Sequence, residues 1–269
     1  MKLTSHYVEK PWGRHDLPPV FTHADGRQIG EVWFDSPDEK LPILVKWLFT
    51  SERLSIQVHP NDEQARALGL GSGKEECWFI VSAEPGARLG IGTSHRLTAD
   101  ELRAASLSGA IENLMDWKPV KAGDYFYIPA GTVHAIGAGI TLVEVQQNAD
   151  ITFRLYDYGR PRELHLDDGV AVSDAQPYAD PQCGTVDNAA LQTLVNGPHF
   201  RLWHARGHAI ADLVEAHETT WVIPLAGSVS VGTENAEAGA CLYVQKGPTV
   251  SVAASTRALV AAVIPDSAG

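Results

Sequence analysis

Three separated stretches of the chain carry side chains of the kinds that bind divalent metals. Gln57-Val58-His59-Pro60 offers an amide and an imidazole two residues apart, Lys74-Glu75-Glu76 offers carboxylates, and Gly123–Ile136 (GDYFYIPAGTVHAI) carries His134 just past a tight turn at Gly131. Alternate residues of a strand project from one face. A strand over Leu54–His59 therefore presents Gln57 and His59 together while Ile56 and Val58 pack behind. Pro60 and Asn61-Asp62 end that strand, which puts His59 near the mouth of a barrel. Neutral imidazole, carboxylate and amide oxygen form a donor set suited to Zn²⁺, Fe²⁺, Mn²⁺ or Ni²⁺. Taken singly each residue has a plainer reading: His59 and His134 as hydrogen-bonded structural histidines, Glu76 as a solvated partner of Lys74. The combination within a strand-rich pattern points to one metal site.

A second group of polar residues follows at strand spacing. Thr141–Val145 alternates so that Glu144 and Gln146 lie opposite Val143 and Val145, and Ile151–Leu155 alternates so that Arg154 lies opposite Phe153 and Leu155. Glu144 and Arg154 thus both face a barrel interior, as an ion pair or as groups offered to a ligand. Asp150, just before the second run, reads as a turn residue or a site residue. Lys74 beside a metal would have a lowered pKa and handle charge there, and Arg154 is the best local cation for a phosphate. Trp12, in Lys10-Pro-Trp-Gly, and His165, in Arg162-Glu-Leu-His, read as a packing tryptophan and a surface or inter-domain histidine.

The elements that must hold these groups are mostly strands. Alternating runs bounded by Gly, Pro, Asn and Asp cover Ile43–Phe49, Leu54–Val58, Trp78–Ser82, Tyr125–Pro129, Thr141–Val145, Thr220–Pro224 and Cys241–Val244, a spacing that means a β-sandwich or barrel. One helix is predicted over Thr98–Met115, where Thr98 and Glu101 form a capping box, and a shorter one after Asn61-Asp62. Gly123–Gly131 aligns with Gly239–Gly247 at an offset of 116, and Glu75–Trp78 with Glu218–Trp221 at an offset of 143. The second half thus repeats the first, with the Thr98 helix inserted in the first copy only. In the repeat Glu76 becomes Thr219 and His134 becomes Val250, so the second copy has lost its ligands.

With 269 residues, 44% of them hydrophobic, the chain can bury one large or two modest cores. Met1–Gly13 has no apolar stretch like a signal peptide, and no window approaches a membrane span, so a cytoplasmic address with no membrane partner is expected. Cys77, Cys183 and Cys241 are too scattered for a disulfide framework and read as reduced thiols. A net charge of −12 argues against nucleic acid, whose binding needs clustered Lys and Arg.

At these motifs the sequence resembles the type I mannose-6-phosphate isomerases, zinc enzymes of the cupin superfamily, and in particular their short bacterial branch. The likeness runs through Glu9-Lys-Pro-Trp-Gly, Gln57-Val-His-Pro, Gly73-Lys-Glu-Glu-Cys-Trp, Ile128-Pro-Ala-Gly-Thr-Val-His-Ala-Ile, Glu144-Val-Gln-Gln-Asn-Ala-Asp, Arg154-Leu-Tyr-Asp and Arg162-Glu-Leu-His, in order over about residues 7–170. It implies a mainly β fold of two cupin-type jelly-roll barrels, with a helical insertion in the N-terminal one. The expected division is residues 1–170 with the active site, a connection over 171–190 that is rich in Asp, Pro and Gly, and a degenerate unit over 191–269. The resemblance implies Gln57, His59, Glu76 and His134 as ligands of one Zn²⁺, and its register chooses Glu76 over Glu75. It also implies Lys74, Glu144 and Arg154 as catalytic residues, with Arg154, Lys74 and Asp150 binding substrate.

The implied reaction interconverts mannose 6-phosphate and fructose 6-phosphate by moving a proton between carbons 2 and 1 through an enediol, in a monomer or homodimer. Lys74, Glu144, a neighbour of His59 and water on the metal all stand as candidates for the base. The chain lacks the long helical insert of larger members, which bears on sugar identity. The alternatives are a sugar-binding or regulatory cupin, a cupin enzyme acting on a different sugar, or oxygen chemistry, against which Gln57 counts because it would favour Fe²⁺ and a histidine-rich set.

Overall fold

Strand Ile43–Phe49 (ILVKWLF) is buried at every position, Lys46 included, which is the pattern of a strand covered on both faces. The reason lies in how the sheets stack. In the computed structural model, which describes residues 1–22 and 24–264, the chain runs β1 (Thr4–Arg14), β2 (Ile29–Asp35), β3 (Ile43–Phe49), β4 (Ile56–Val58), α1 (Asp62–Ala67), β5 (Glu76–Ala83), β6 (Arg88–Thr93), α2 (Ala99–Ser108), α3 (Ile111–Leu114), β7 (Met115–Pro119), β8 (Asp124–Ile128), β9 (His134–Ile136), β10 (Ile140–Gln147), β11 (Phe153–Tyr156), α4 (Leu166–Val172) and β12 (Cys183–Thr185). It continues through β13 (Leu191–Asn196), β14 (Phe200–Arg206), α5 (His208–Ala216), β15 (Thr219–Ala226), β16 (Ser228–Val231), β17 (Glu234–Glu237), β18 (Leu242–Gln245), β19 (Val250–Val252) and β20 (Arg257–Val263).

The first unit pairs a seven-stranded sheet, β1-β2-β3-β10-β5-β8-β12, with a five-stranded one, β11-β4-β9-β6-β7. The second pairs β13-β14-β20-β15-β18 with β17-β16-β19. These orders coincide element by element: β2-β3-β10-β5-β8 matches β13-β14-β20-β15-β18, and β9-β6-β7 matches β19-β16-β17. The mainly β, two-jelly-roll cupin architecture is what the chain adopts, and its internal repeat is visible in strand order. Between β6 and β7 lie α2 and α3, whereas only Gly232 and Thr233 separate β16 from β17, so the helical insertion belongs to the first copy alone. Among the described residues, β4 has no counterpart in the second copy. Helix α5 stands between β14 and β15, where the first copy has β4 and α1 between β3 and β5.

The larger sheets of the two units pack face to face. Val32, Val45, Trp47, Cys77, Phe79 and Val143 from the first share a core with Leu202, Trp221, Tyr243, Leu259 and Ala261 from the second. Inside the first barrel Trp12, Leu48, Trp78, Ile80, Leu89 and Phe126 form an apolar plug. Its five-stranded sheet is covered on the outside by α2, α3 and α4, against Ile56, Val58, Phe153 and Leu155. The second barrel is filled by Val222, Val229, Val244, Val260, Ala258 and Leu242, with α5 laid over it.

Two details differ from the sequence-level expectation. The helix expected over Thr98–Met115 is broken: Thr98 and Glu101 form the capping box, but Gly109 adopts φ 79° and ends α2 at Ser108. Beta-strand β12, within the segment expected as a connection, pairs with β8 as the edge strand of the first sheet. Residues 265–269 of the expected C-terminal unit lie outside the described residues. No described helix is long and apolar enough to cross a membrane.

Candidate metal centre

Three strands deliver the candidate donor groups. In β4, Ile56 and Val58 are fully buried under the helices, which turns Gln57 to the barrel side. His59 follows directly, and its carbonyl accepts from the Gly131 N–H at 2.8 Å, tying it to the turn before β9. Asn61 then caps α1 in a capping box with Gln64, which stops the strand. Glu76 opens β5 opposite Gln146 of β10 and Ile128 of β8. In β9, His134 is the register partner of Gln57.

The donor atoms converge. One ligand atom each from His59, Glu76 and His134 lie within 4.8 Å of one another, and all three residues are buried. His59 Nε2 is 3.5 Å from Glu76 Oε2, and His134 Nε2 is 3.4 Å from Glu76 Oε1. His134 Nδ1 lies 2.8 Å from the Thr132 carbonyl, which fixes that nitrogen as N–H and leaves Nε2 free to coordinate. The Gln57 amide nitrogen, Nε2, lies 3.4 Å from His134 Nε2, and Ser55 Oγ donates to Gln57 Oε1 at 3.1 Å.

The chemistry of this set fits a divalent transition metal. Burial lowers both imidazoles from their ordinary value, His134 to about 4, so both are neutral donors at physiological pH. Glu76 is fully buried, and its Oε1 has no hydrogen-bond partner. A carboxylate so enclosed is costly unless a cation completes it. Burial, reinforced by Glu144 and opposed by Lys74, raises Glu76 to about 7.

Lys74 is the protein's own cation here. Its Nζ lies 2.9 Å from Glu76 Oε2 and 3.1 Å from His59 Nε2. Burial opposes its charge, but Glu76 and Glu144 outweigh burial and raise its pKa, contrary to the lowered value that a neighbouring metal alone would give. Two features brace its segment. A Cβ on Gly73 would sit 2.4 Å from the Asn61 backbone, so only glycine lets this turn approach the chain after His59. Asp62 accepts from Gly73 N–H at 2.7 Å and from Gln147 at 3.0 Å. From the second unit, His199 reaches to 4.0 Å from Asp62 and 3.9 Å from Glu75, and Tyr127 donates to Glu75. Glu75 thus faces outward from the donor cluster.

Beside the donors opens a cavity of about 160 Å³, lined among others by Gln57, Lys74, Glu144, Asp150 and Arg154. Asp150 is exposed at its rim. Glu144 and Arg154 do not pair with each other. Glu144 Oε1 lies 3.3 Å from Lys46, its Oε2 accepts from Trp78 Nε1 at 3.0 Å, and Arg154 donates to the Glu163 carbonyl at 2.6 Å.

The same cavity is lined by residues that sequence reasoning passed over. Lys46 is 4% exposed, with Nζ 4.5 Å above the Trp33 ring. Trp33 donates to Glu31 at 2.6 Å, and Glu31 pairs with Lys10 at 3.3 Å. Three ion pairs, Lys10–Glu31, Lys46–Glu144 and Lys74–Glu76, thus place alternating charges from the cavity to the donor cluster. The available signal was a single charge inside the apolar run ILVKWLF, which only a buried partner could accommodate. Trp12 is 3% exposed, packed in the barrel plug and also lining the cavity. A larger cleft of about 700 Å³ lies elsewhere, around Arg53, Arg88, Glu112 and Trp117. Arg53 pairs with Glu112 there, and none of the donors lines it.

A family model for the phosphomannose isomerase type I catalytic domain matches residues 2–76. A mannose-6-phosphate isomerase of Streptococcus mutans is 34% identical over 214 residues, covering 76% of this chain and 67% of that protein. The chain spans roughly three fifths to two thirds of the length of the curated relatives it matches. Among solved structures, the mannose 6-phosphate isomerase of Bacillus subtilis superposes with a TM-score of 0.81 at 25% identity, over 97% of this chain and 98% of that one. A zinc-bound mannose 6-phosphate isomerase shares the fold, with a TM-score of 0.69 at 14% identity over 96% and 98% of the two chains.

Proposed function

Because the chain belongs to the type I phosphomannose isomerase family, we infer that it is a metal-dependent isomerase interconverting mannose 6-phosphate and fructose 6-phosphate. The observation that carries this reading is the convergence of His59, Glu76 and His134, from three distant segments, within 4.8 Å beside a polar cavity. Gln57, His59, Glu76 and His134 would hold one Zn²⁺, which suits two neutral imidazoles, a carboxylate and an amide. Bound there, the ion supplies Lewis acidity for the charge that develops on the sugar carbonyl during enolisation.

The chain's own residues supply the rest. Glu144 is held as a carboxylate: burial opposes its charge, but Lys74, Lys46 and the Trp78 N–H outweigh it and lower its pKa. Lys74 is held as an ammonium. In this charge state Glu144 can take the proton from carbon 2 and return it to carbon 1, while Lys74 gives a proton to the carbonyl oxygen and recovers one from the neighbouring hydroxyl, so that both groups end as they began. Arg154 and Asp150, on the open side of the cavity, bind the sugar phosphate. The substrate is a small molecule; the chain's acidity argues against nucleic acid, and a cytoplasmic monomer or homodimer completes the proposal. So does the division into an N-terminal unit that carries the site and a C-terminal one in which Thr219 and Val250 stand where Glu76 and His134 do in the first.

The test is turnover of mannose 6-phosphate by zinc-loaded protein in deuterated water. Fructose 6-phosphate should appear with solvent label at carbon 1 or 2. Zinc-loaded protein that yields neither product nor label would refute the reading.

A further inference from the structure

Arg154 sits on an edge. Its strand β11 is the outermost of the five-stranded sheet, with β4 on one side only. An edge strand that carries a binding residue needs its outward backbone groups satisfied, or it frays. Here one residue does this. The Arg154 N–H donates to His165 Nδ1 at 3.1 Å, and the Arg154 carbonyl accepts from the His165 N–H at 2.8 Å. Since both polar groups of Arg154 point outward, its pairing with Gln57 across β4 is the narrow, non-hydrogen-bonded kind, which brings the two side chains close on the cavity face.

The guanidinium is held by the same segment: Arg154 Nη1 donates to the Glu163 carbonyl, two residues before His165. Its Nε is buried without a partner. The connecting loop is itself fixed, because Asp157 accepts from Arg162 at 2.5 and 2.7 Å and pairs with Arg160 at 2.9 Å. Beyond His165, its carbonyl takes the Gly169 N–H at 2.8 Å, anchoring it to α4. A Cβ on Gly169 would lie 2.8 Å from Leu155, so α4 rests directly on β11. The imidazole meets Phe153 edge-on at 6.3 Å.

We propose that His165 is a positioning residue for Arg154: its imidazole closes the free edge of β11 as a one-residue strand would, and so aims the guanidinium at the substrate cavity. This rests on the substrate-binding role of Arg154 given above and assigns a function to a histidine that touches neither substrate nor metal. The acceptor matters rather than the ring, because phenylalanine would keep the contact with Phe153 and the backbone N–H but leave the Arg154 N–H unpaired.

The experiment is a double-mutant cycle on the zinc-loaded full chain with His165→Phe, His165→Asn, Arg154→Ala and Arg154→Ala/His165→Phe, following kcat, KM and bound zinc. Asparagine places Oδ1 where Nδ1 stands. His165→Phe should lower kcat/KM about tenfold at unchanged zinc content, His165→Asn should recover most of the loss, and His165→Phe should cost nothing further once Arg154 is alanine. Equal impairment of the Phe and Asn variants, or an undiminished His165→Phe effect in the Arg154→Ala background, would overturn the proposal. Wild-type turnover by Arg154→Ala would overturn the role of Arg154 and this proposal with it; an impaired Arg154→Ala beside an unimpaired His165→Phe overturns this proposal alone.

Discussion

Replacing Lys46 by Met separates what the buried charge pair does for folding from what it does for chemistry. Lys46 and Glu144 have side chains each 5% exposed, and they face each other at 3.3 Å. At an effective dielectric constant of about 20, that separation corresponds to a gross attraction of about 5 kcal/mol. Breaking such a pair by removing one partner costs about 3–5 kcal/mol, because the other charge is left buried. Part of this is offset here, since Glu144 keeps the Trp78 N–H and the field of Lys74. Lys46→Met is therefore expected to lose about 3 kcal/mol in urea unfolding of the metal-free protein. The double variant Lys46→Met/Glu144→Gln removes both charges while leaving an oxygen for Trp78, and should recover most of that stability. It should nevertheless be inactive, since Glu144 can no longer accept a proton. A Lys46→Met variant within about 1 kcal/mol of wild type would refute the energetic argument, and a double variant with wild-type turnover would refute the role given to Glu144.

Four further outcomes are expected. His204 faces Phe79 across the core between the units, with both ring nitrogens unpartnered and Arg206, Arg257 and Asp187 as its charged neighbours. Burial lowers it from 6.5 to about 4, so the unfolded chain takes up a proton at higher pH than the folded one does. The stability that His204 contributes is fully present well above pH 6.5 and should fall by about 3 kcal/mol as pH drops towards 4. His204→Phe should flatten that limb, read from urea midpoints at pH 8 and 4.5; parallel curves would contradict it. Gly73→Ala should displace the turn that holds Lys74 and Glu76 and weaken zinc retention against a competing chelator by at least tenfold, whereas unchanged retention would show that the close approach to Asn61 is unimportant. Stripping the metal with a chelator should abolish isomerisation, and zinc should restore it. His134→Ala should lose metal and turnover together, so a variant with full metal content would remove His134 from the ligand set.

How much was legible in the sequence differs from residue to residue, for physical reasons. The i, i+2 spacing of Gln57 and His59, and the alternation around Glu144 and Arg154, fix which face a side chain takes, because strand geometry is local. The Thr98 capping box is local too, and so it was legible. The break at Gly109 was not, since glycine inside a helical pattern tolerates either outcome until packing chooses. The repeat was visible at its conserved turns, but the loss of β4 from the second copy was not, because Gln57 and His59 have no aligned counterparts whose absence could be seen. Lys46, Glu31 and Lys10 escaped notice because a charge inside an apolar strand declares only that it needs a partner, and the partner's identity depends on the register of β3 against β10 and β2.

What the sequence alone determined was which candidate donors share a strand face, Gln57 with His59 above all, and which strands carry Glu76 and His134; the choice of Glu76 over Glu75 came from the family resemblance. Only the tertiary structure decided the distances between segments up to 77 residues apart, the alternating charges that set Lys74 and Glu144 in opposite protonation states, and the seat of Arg154 on an edge closed by His165. Those properties come from sheet order and burial, which arise when distant strands pair, and no short stretch of chain encodes them.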